Sequence, residues 1–172
     1  MGQIQQCPLT RQAVPLNKPV QAGSSLPSLA LAQQQLIKMP YAVFLGMSLS
    51  VGPDGLETST PSRSELIGNT NLPALHGGVI GSLLDITGML TLVFLKALDQ
   101  SPRLIDMDID YLRSGQAQPT HGRAEIVRGG RRMANLRAVL WQDDPERPIA
   151  IGRLQFLLPK TEATRGGLEV SR

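Results

Sequence analysis

The spacing of apolar residues changes along this chain, and each change predicts an element. Residues 1–27 are rich in Gln, Pro, Ser and Gly without a sustained period, which predicts a flexible or loosely docked arm. Leu29, Ala32 and Leu36 then recur at helical spacing. With Ser28 as cap and Pro40 as stop, they predict a short helix through Lys38. From Phe44 to Val51 the period is two: Leu45, Met47, Leu49 and Val51 alternate with Phe44, Gly46, Ser48 and Ser50. Gly52-Pro53-Asp54-Gly55 is a turn signal, and Leu56 to Thr60 reads as the returning strand of a hairpin.

Residues 61–75 are irregular and lead into the most hydrophobic run of the chain. A helix is expected from Gly77 or Gly78 to about Leu98, with apolar residues on nearly all sides and therefore buried on nearly all sides. The run from Val79 to Leu95 is shorter than the ~20 residues a membrane span needs, and it holds Gly81, Asp85 and Gly88. It reads as a core helix rather than a span.

After Pro102 the period returns to two. Ile105, Met107, Ile109 and Tyr111 alternate with Asp106, Asp108 and Asp110, a row that reads as the wet face of a strand. Thr120 to Arg128 is a second strand, with Gly129-Gly130 as a hairpin turn. Arg131 to Gln142 places Ala134, Leu136, Ala138 and Leu140 on one face, and Ile149 to Leu158 does the same with Ala150, Gly152, Leu154, Phe156 and Leu158. Short turns between consecutive strands predict a four-stranded antiparallel meander, and residues 161–172 form a polar tail. The expected organisation is one α+β domain over residues 28–160, its sheet curling around the apolar helix.

Composition narrows the function. The net charge is +3 and aromatic residues are 3%, so there is little to stack on bases, and no nucleic-acid partner is expected. Thirteen of the seventeen cations are Arg, which favours an anionic ligand. The single cysteine, Cys7, excludes an internal disulfide and lies in the polar arm. With only His76 and His121 as histidines, no metal site is expected. No secretory signal pattern is evident, and a cytoplasmic location is expected.

The chemistry concentrates in Asn69-Thr70-Asn71-Leu72-Pro73-Ala74-Leu75-His76-Gly77-Gly78 and the helix that follows. Glycines at a helix start bring backbone N–H groups close to an oxyanion or a carbonyl. Asp85 is a lone acid in an apolar helix, costly unless it is used or hydrogen-bonded to a neighbouring turn. On a helical wheel Gly78, Gly81, Ser82, Gly88, Met89 and Leu92 share its side, and the small ones would leave a channel beside the carboxylate. His76 is a candidate for an orienting role. Arg128, Arg131 and Arg132 cluster at the Gly129-Gly130 turn, either as a solvated turn or as a phosphate site.

Leu75-His76-Gly77-Gly78-Val79-Ile80 and Ser82-Leu83-Leu84-Asp85, with the acid nine positions after the His, resemble the signature of hotdog-fold acyl-CoA thioesterases of the phenylacetate-pathway type. Ile109-Asp110-Tyr111-Leu112-Arg113 and Gly129-Gly130-Arg131-Arg132-Met133-Ala134 extend the resemblance, which covers roughly residues 39–159. It implies a hotdog fold and hydrolysis of acyl-CoA thioesters. The Gly77 amide would polarise the carbonyl, and Asp85 would serve as base or nucleophile. It also implies a homodimer whose sites lie between subunits, pairing further into tetramers in many members. No cofactor is implied beyond the coenzyme A of the substrate.

The sequence departs from the pattern twice. The family's Asn falls on Thr70, with Asn69 and Asn71 on either side, and a one-residue shift would let either serve. A water-positioning Ser found in some members is replaced by Leu104. The alternative is a non-catalytic acyl-CoA or lipid-ligand binder on the same fold.

Overall fold

The computed structural model describes residues 26–69 and 71–159, so the expectations for the arm, for Cys7, for Thr70 and for the C-terminal tail lie outside the described residues. The elements are α1 (Leu26–Ile37), α2 (Pro40–Leu45), β1 (Ser48–Gly52), β2 (Gly55–Thr60), β3 (Ile67–Asn69), β4 (Ala74–Leu75), α3 (Gly77–Lys96), β5 (Arg103–Tyr111), β6 (Thr120–Gly129), β7 (Met133–Trp141) and β8 (Ala150–Leu157). Six strands form one antiparallel sheet in the order β1-β2-β6-β7-β8-β5, and β3 pairs with β4 beside it. The sheet packs on α3, which touches β2, β5, β6, β7 and β8, with α1 on its other side. This is the expected hotdog arrangement.

α3 is the centre of the core because its sequence allows nothing else. Every residue from Ile86 to Phe94 is buried. The sheet supplies the matching face: Ala134, Leu136, Ala138 and Leu140 of β7, and Ala150, Leu154 and Phe156 of β8, are each at most 2% exposed. Close approach needs missing side chains. A Cβ on Gly88 would lie 2.6 Å from Leu154 Cδ1, and one on Gly122 would lie 2.7–2.8 Å from Leu140, Thr58 and Thr87. The helix is long and apolar enough to cross a membrane, with a mean hydropathy of 1.9, yet it is largely buried by the fold itself.

The structure corrects several expectations. α1 begins at Leu26, so Ser28 lies inside the helix and is buried rather than capping it. Pro40 starts a second helix, where its fixed φ and missing N–H suit the first turn. Phe44 and Leu45 are therefore helical, and the strand begins only at Ser48. Gly46, in the left-handed region at φ 69°, ends α2. Local start and stop signals outweighed an alternation of period two. Residues 61–75 carry the short β3–β4 pair rather than being wholly irregular.

The predicted meander also fails at β5, which pairs with β8 and not with β6. The connection over residues 112–119 is long enough to cross the end of the sheet. It is pinned by Leu112 and Arg113 N–H groups donating to Ile149 O, and by Leu75 N–H donating to Gly115 O at 2.8 Å. A bulge between Leu104 and Asp106 turns Ile105 outward, 51% exposed, and puts Leu104 on the core side in its place.

Candidate active site

The first turn of α3 is held from several directions. Its N-cap is His76, whose backbone is extended and whose Nδ1 accepts from Gly78 N–H at 3.0 Å. An accepting Nδ1 carries no proton, so the ring's proton is on Nε2. His76 O accepts from Val79 N–H at 2.9 Å and from Ile80 N–H at 3.2 Å, and His76 N–H donates to Leu66 O at 2.9 Å. The β3–β4 segment lies directly on this cap. A Cβ on Gly68 would sit 2.8 Å from His76 Cα, so glycine is required there.

A helix start leaves its first N–H groups without intrahelical partners. Here Gly78, Val79 and Ile80 are all satisfied by His76. The Gly77 N–H is the one that remains without a partner among the described residues. Its setting is also distinctive. A Cβ on Gly78 would press on the His76 ring at 3.1 Å, and one on Gly81 would press on Ile109 Cδ1 at 3.2 Å. A Cβ on Gly77 would meet nothing nearer than the Tyr111 hydroxyl at 3.5 Å, an ordinary contact. The packing of the chain does not explain glycine at 77, whereas a ligand approaching the amide would.

Asp85 lies on the stripe of α3 that the sheet and α1 leave accessible, with Gly78 and Ser82. Ser82 Oγ donates to Gly78 O at 2.9 Å, so its hydroxyl is engaged within the helix. The Asp85 carboxyl has no hydrogen-bond or ion-pair partner among the described residues. The simple structural explanation for a lone acid, a bond to a neighbouring turn, is therefore absent there. Burial pushes its pKa above the ordinary 3.8.

The other expected residues are placed as follows. Gly81 faces Met107 and Ile109 of β5, and Gly88 faces Leu154 and Phe156 of β8. These glycines serve helix-to-strand approach and do not line a channel beside Asp85. Met89 is 5% exposed and belongs to the core. Asn69 Oδ1 accepts from Asn71 and Leu72 N–H groups at 3.0 and 3.2 Å, so that side chain closes its own turn. Both Asn69 and Asn71 are exposed. Arg128, Arg131 and Arg132 are exposed at the β6–β7 hairpin, at the opposite end of α3 from His76.

Two residues missed in the sequence join the picture. Lys96, in the last turn of α3, reaches the hairpin: its Nζ lies 3.6 Å from where a Gly129 Cβ would be. Tyr111 donates its hydroxyl to Gly77 O at 3.1 Å. Among the described residues no cluster of three or more His, Cys, Asp or Glu could hold a metal ion.

An antiparallel sheet wrapped on one helix, with an unused amide at the helix start and an unpaired acid further along that helix, is the arrangement to set beside known proteins. A family model described as the thioesterase superfamily matches residues 72–149, from the loop before α3 into the last turn before β8. The Escherichia coli K12 protein YigI, a medium/long-chain acyl-CoA thioesterase, is 28% identical over 120 residues, spanning 62% of this chain and 77% of its own. A crystal structure from Chromobacterium violaceum is 30% identical with a TM-score of 0.61, covering 78% of this chain and 98% of that one. A Shewanella oneidensis protein related to the thioesterase superfamily is 26% identical with a TM-score of 0.66, covering 79% and 100%. Over residues 72–149, less than half of its length, the chain is similar to the thioesterase superfamily.

Proposed function

We propose that this thioesterase hydrolyses acyl-CoA esters to free acid and coenzyme A, at sites completed between two copies of the chain. The observation that carries the proposal is the pair of unsatisfied groups on α3, the Gly77 N–H and the Asp85 carboxyl. On one helix they are eight residues apart, roughly 12 Å along the axis. That is too far for both to act on one thioester carbonyl. Two antiparallel copies of α3 would bring each Gly77 to the other chain's Asp85 in an isologous dimer, which can pair again into a tetramer.

In such a site the carbonyl oxygen accepts from Gly77 N–H, and that bond strengthens as negative charge develops on the oxygen. Asp85 takes a proton from the attacking water, or attacks the carbonyl itself to give a mixed anhydride that water then opens. Collapse of the tetrahedral intermediate expels the coenzyme A thiolate. After a single turnover in ¹⁸O-water, label in Asp85 would mark the nucleophilic route with water opening the anhydride at the Asp85 carbon, whereas attack at the acyl carbon labels only the product acid, as the general-base route does.

Arg128, Arg131, Arg132 and Lys96 lie near the far end of α3. Lys96 is roughly 17 Å along the axis from Asp85, comparable to an extended pantetheine arm. They would receive the coenzyme A phosphates. The E. coli relative and the scarcity of aromatic residues favour medium or long aliphatic acyl groups, and the proposal places the protein in the cytoplasm with them.

The test is thiol release from a series of acyl-CoA esters by the wild type and by Asp85→Asn. The variant is expected to remain a folded dimer and to lose about 10³-fold or more in kcat. Normal turnover by that variant would remove Asp85 from the mechanism. Acyl-CoA binding by the wild type without thiol release would select a binding protein instead.

A further inference from the structure

We infer that Tyr111 is a positioning residue for the carbonyl-binding amide of Gly77, an inference that rests on the acyl-CoA thioesterase reading above. The peptide group joining Gly77 to Gly78 is held at both ends. Its N–H is bound by His76 Nδ1 at 3.0 Å, and its C=O accepts from the Tyr111 hydroxyl at 3.1 Å. The preceding peptide, His76 to Gly77, has its C=O held by the Val79 and Ile80 N–H groups. Of these two successive peptides, every polar group but one is engaged by the described residues. The exception is the Gly77 N–H, which faces out of the helix start.

Tyr111 reaches Gly77 from outside the helix. It is the last residue of β5, fixed by pairing with Ala150 of β8. Its ring is 55% exposed, so its position is not a product of core packing. The ring atoms Cε1 and Cζ would lie 3.8 Å from a Cβ on Gly77, which places the ring as a wall beside the space the missing Cβ leaves open. The sheet is thereby tied to the helix start by one hydroxyl, and the tie holds the plane of the peptide that follows the carbonyl-binding amide. Catalysis by a fixed dipole depends on the dipole being aimed before charge develops.

The test is Tyr111→Phe, which removes the hydroxyl and keeps the ring. The expected result is a kcat lower by about tenfold with KM within twofold of wild type, and unchanged melting and dimerisation. A second readout is the carbonyl stretch of an acyl-CoA bound to Asp85→Asn. The downshift of that band on binding is expected to shrink when Tyr111→Phe is added. Unchanged kcat and an unchanged band would overturn the proposal. So would a loss of kcat that comes only with a lower melting temperature and a higher KM, since that marks packing alone. If the wild type releases no thiol from any acyl-CoA, the thioesterase reading fails and this proposal with it. If the wild type turns over and Tyr111→Phe matches it, only this proposal fails.

Discussion

The two halves of α3 obey different rules. From Ile86 to Phe94 every side chain is buried, and even the hydroxyls are engaged: Thr87 Oγ1 is 2.7 Å from Thr58 Oγ1, and Thr91 Oγ1 donates to Thr87 O. From Gly77 to Asp85 one stripe is accessible, and among the described residues one amide is left over and one carboxyl is unpaired. The glycines separate in the same way. Gly88 is glycine because β8 occupies its space, whereas among the described residues a Cβ on Gly77 would make only ordinary contacts with Tyr111. One continuous helix is thus packed scaffold at one end and carries the proposed reacting groups at the other.

The sharpest way to break the comparison is Gly77→Pro. Proline is tolerated at the first helical position and removes an N–H that the fold does not use, while the extended backbone of His76 suits a following proline. The protein is expected to fold normally and lose about 10²–10³-fold in kcat. Mixing refolded Gly77→Pro and Asp85→Asn chains is expected to restore part of the turnover, because a mixed dimer keeps one intact site. No restoration in a verified mixed dimer would place both groups of a site in one chain.

In the scaffold half, Gly122→Ala is expected to cost about 1–3 kcal/mol by overpacking against Leu140, Thr58 and Thr87. A denaturant midpoint measures this, and kcat per folded molecule should be unchanged. His76→Ala removes the N-cap acceptor and is expected to lower stability by about 1 kcal/mol. Because it also frees the Gly78 N–H, kcat should fall as well, a combination that Gly122→Ala does not give.

The smallest effect is the pH dependence of Asp85→Asn stability. Burial raises the Asp85 pKa in the fold, so the folded state binds this proton more tightly than the unfolded chain does. The wild type therefore loses stability as pH rises from the ordinary carboxylate value of 3.8 through the raised one, and stays at the lower level above it. Asp85→Asn is expected to be more stable than wild type at neutral pH, with the difference vanishing below that window in melting experiments. The same shift places the acid limb of wild-type kcat/KM above the ordinary carboxylate range.

What the sequence revealed follows from how local each signal is. The run from Val79 to Leu95 specified a buried helix, and the alternations in β7 and β8 specified their inward faces residue by residue. α2 was hidden because Phe44 and Leu45 fit an alternation that Pro40 and Gly46 override within a few residues. The place of β5 was hidden because strand order depends on partners distant in sequence. The shared side of Gly81, Gly88 and Asp85 suggested a channel, but a wheel does not say which neighbours the sheet will bring. The family resemblance points to the Gly77 amide, but that the fold leaves this amide over could not be read. It emerges only when each N–H of the helix start is matched to an acceptor, and its tie to Tyr111 spans 34 residues.

The position of β5 at the end of the strand order also sets a schedule for the chain as it is made. β5 pairs only with β8, so residues 103–111 have no sheet partner until residues 150–157 have left the ribosome. At ~5–20 residues per second, this interval lasts several seconds. Throughout it α3, the most apolar segment of the protein, lacks part of the sheet that will cover it. β8, the last of the described strands to be synthesised, both closes the core and fixes Tyr111 against Gly77.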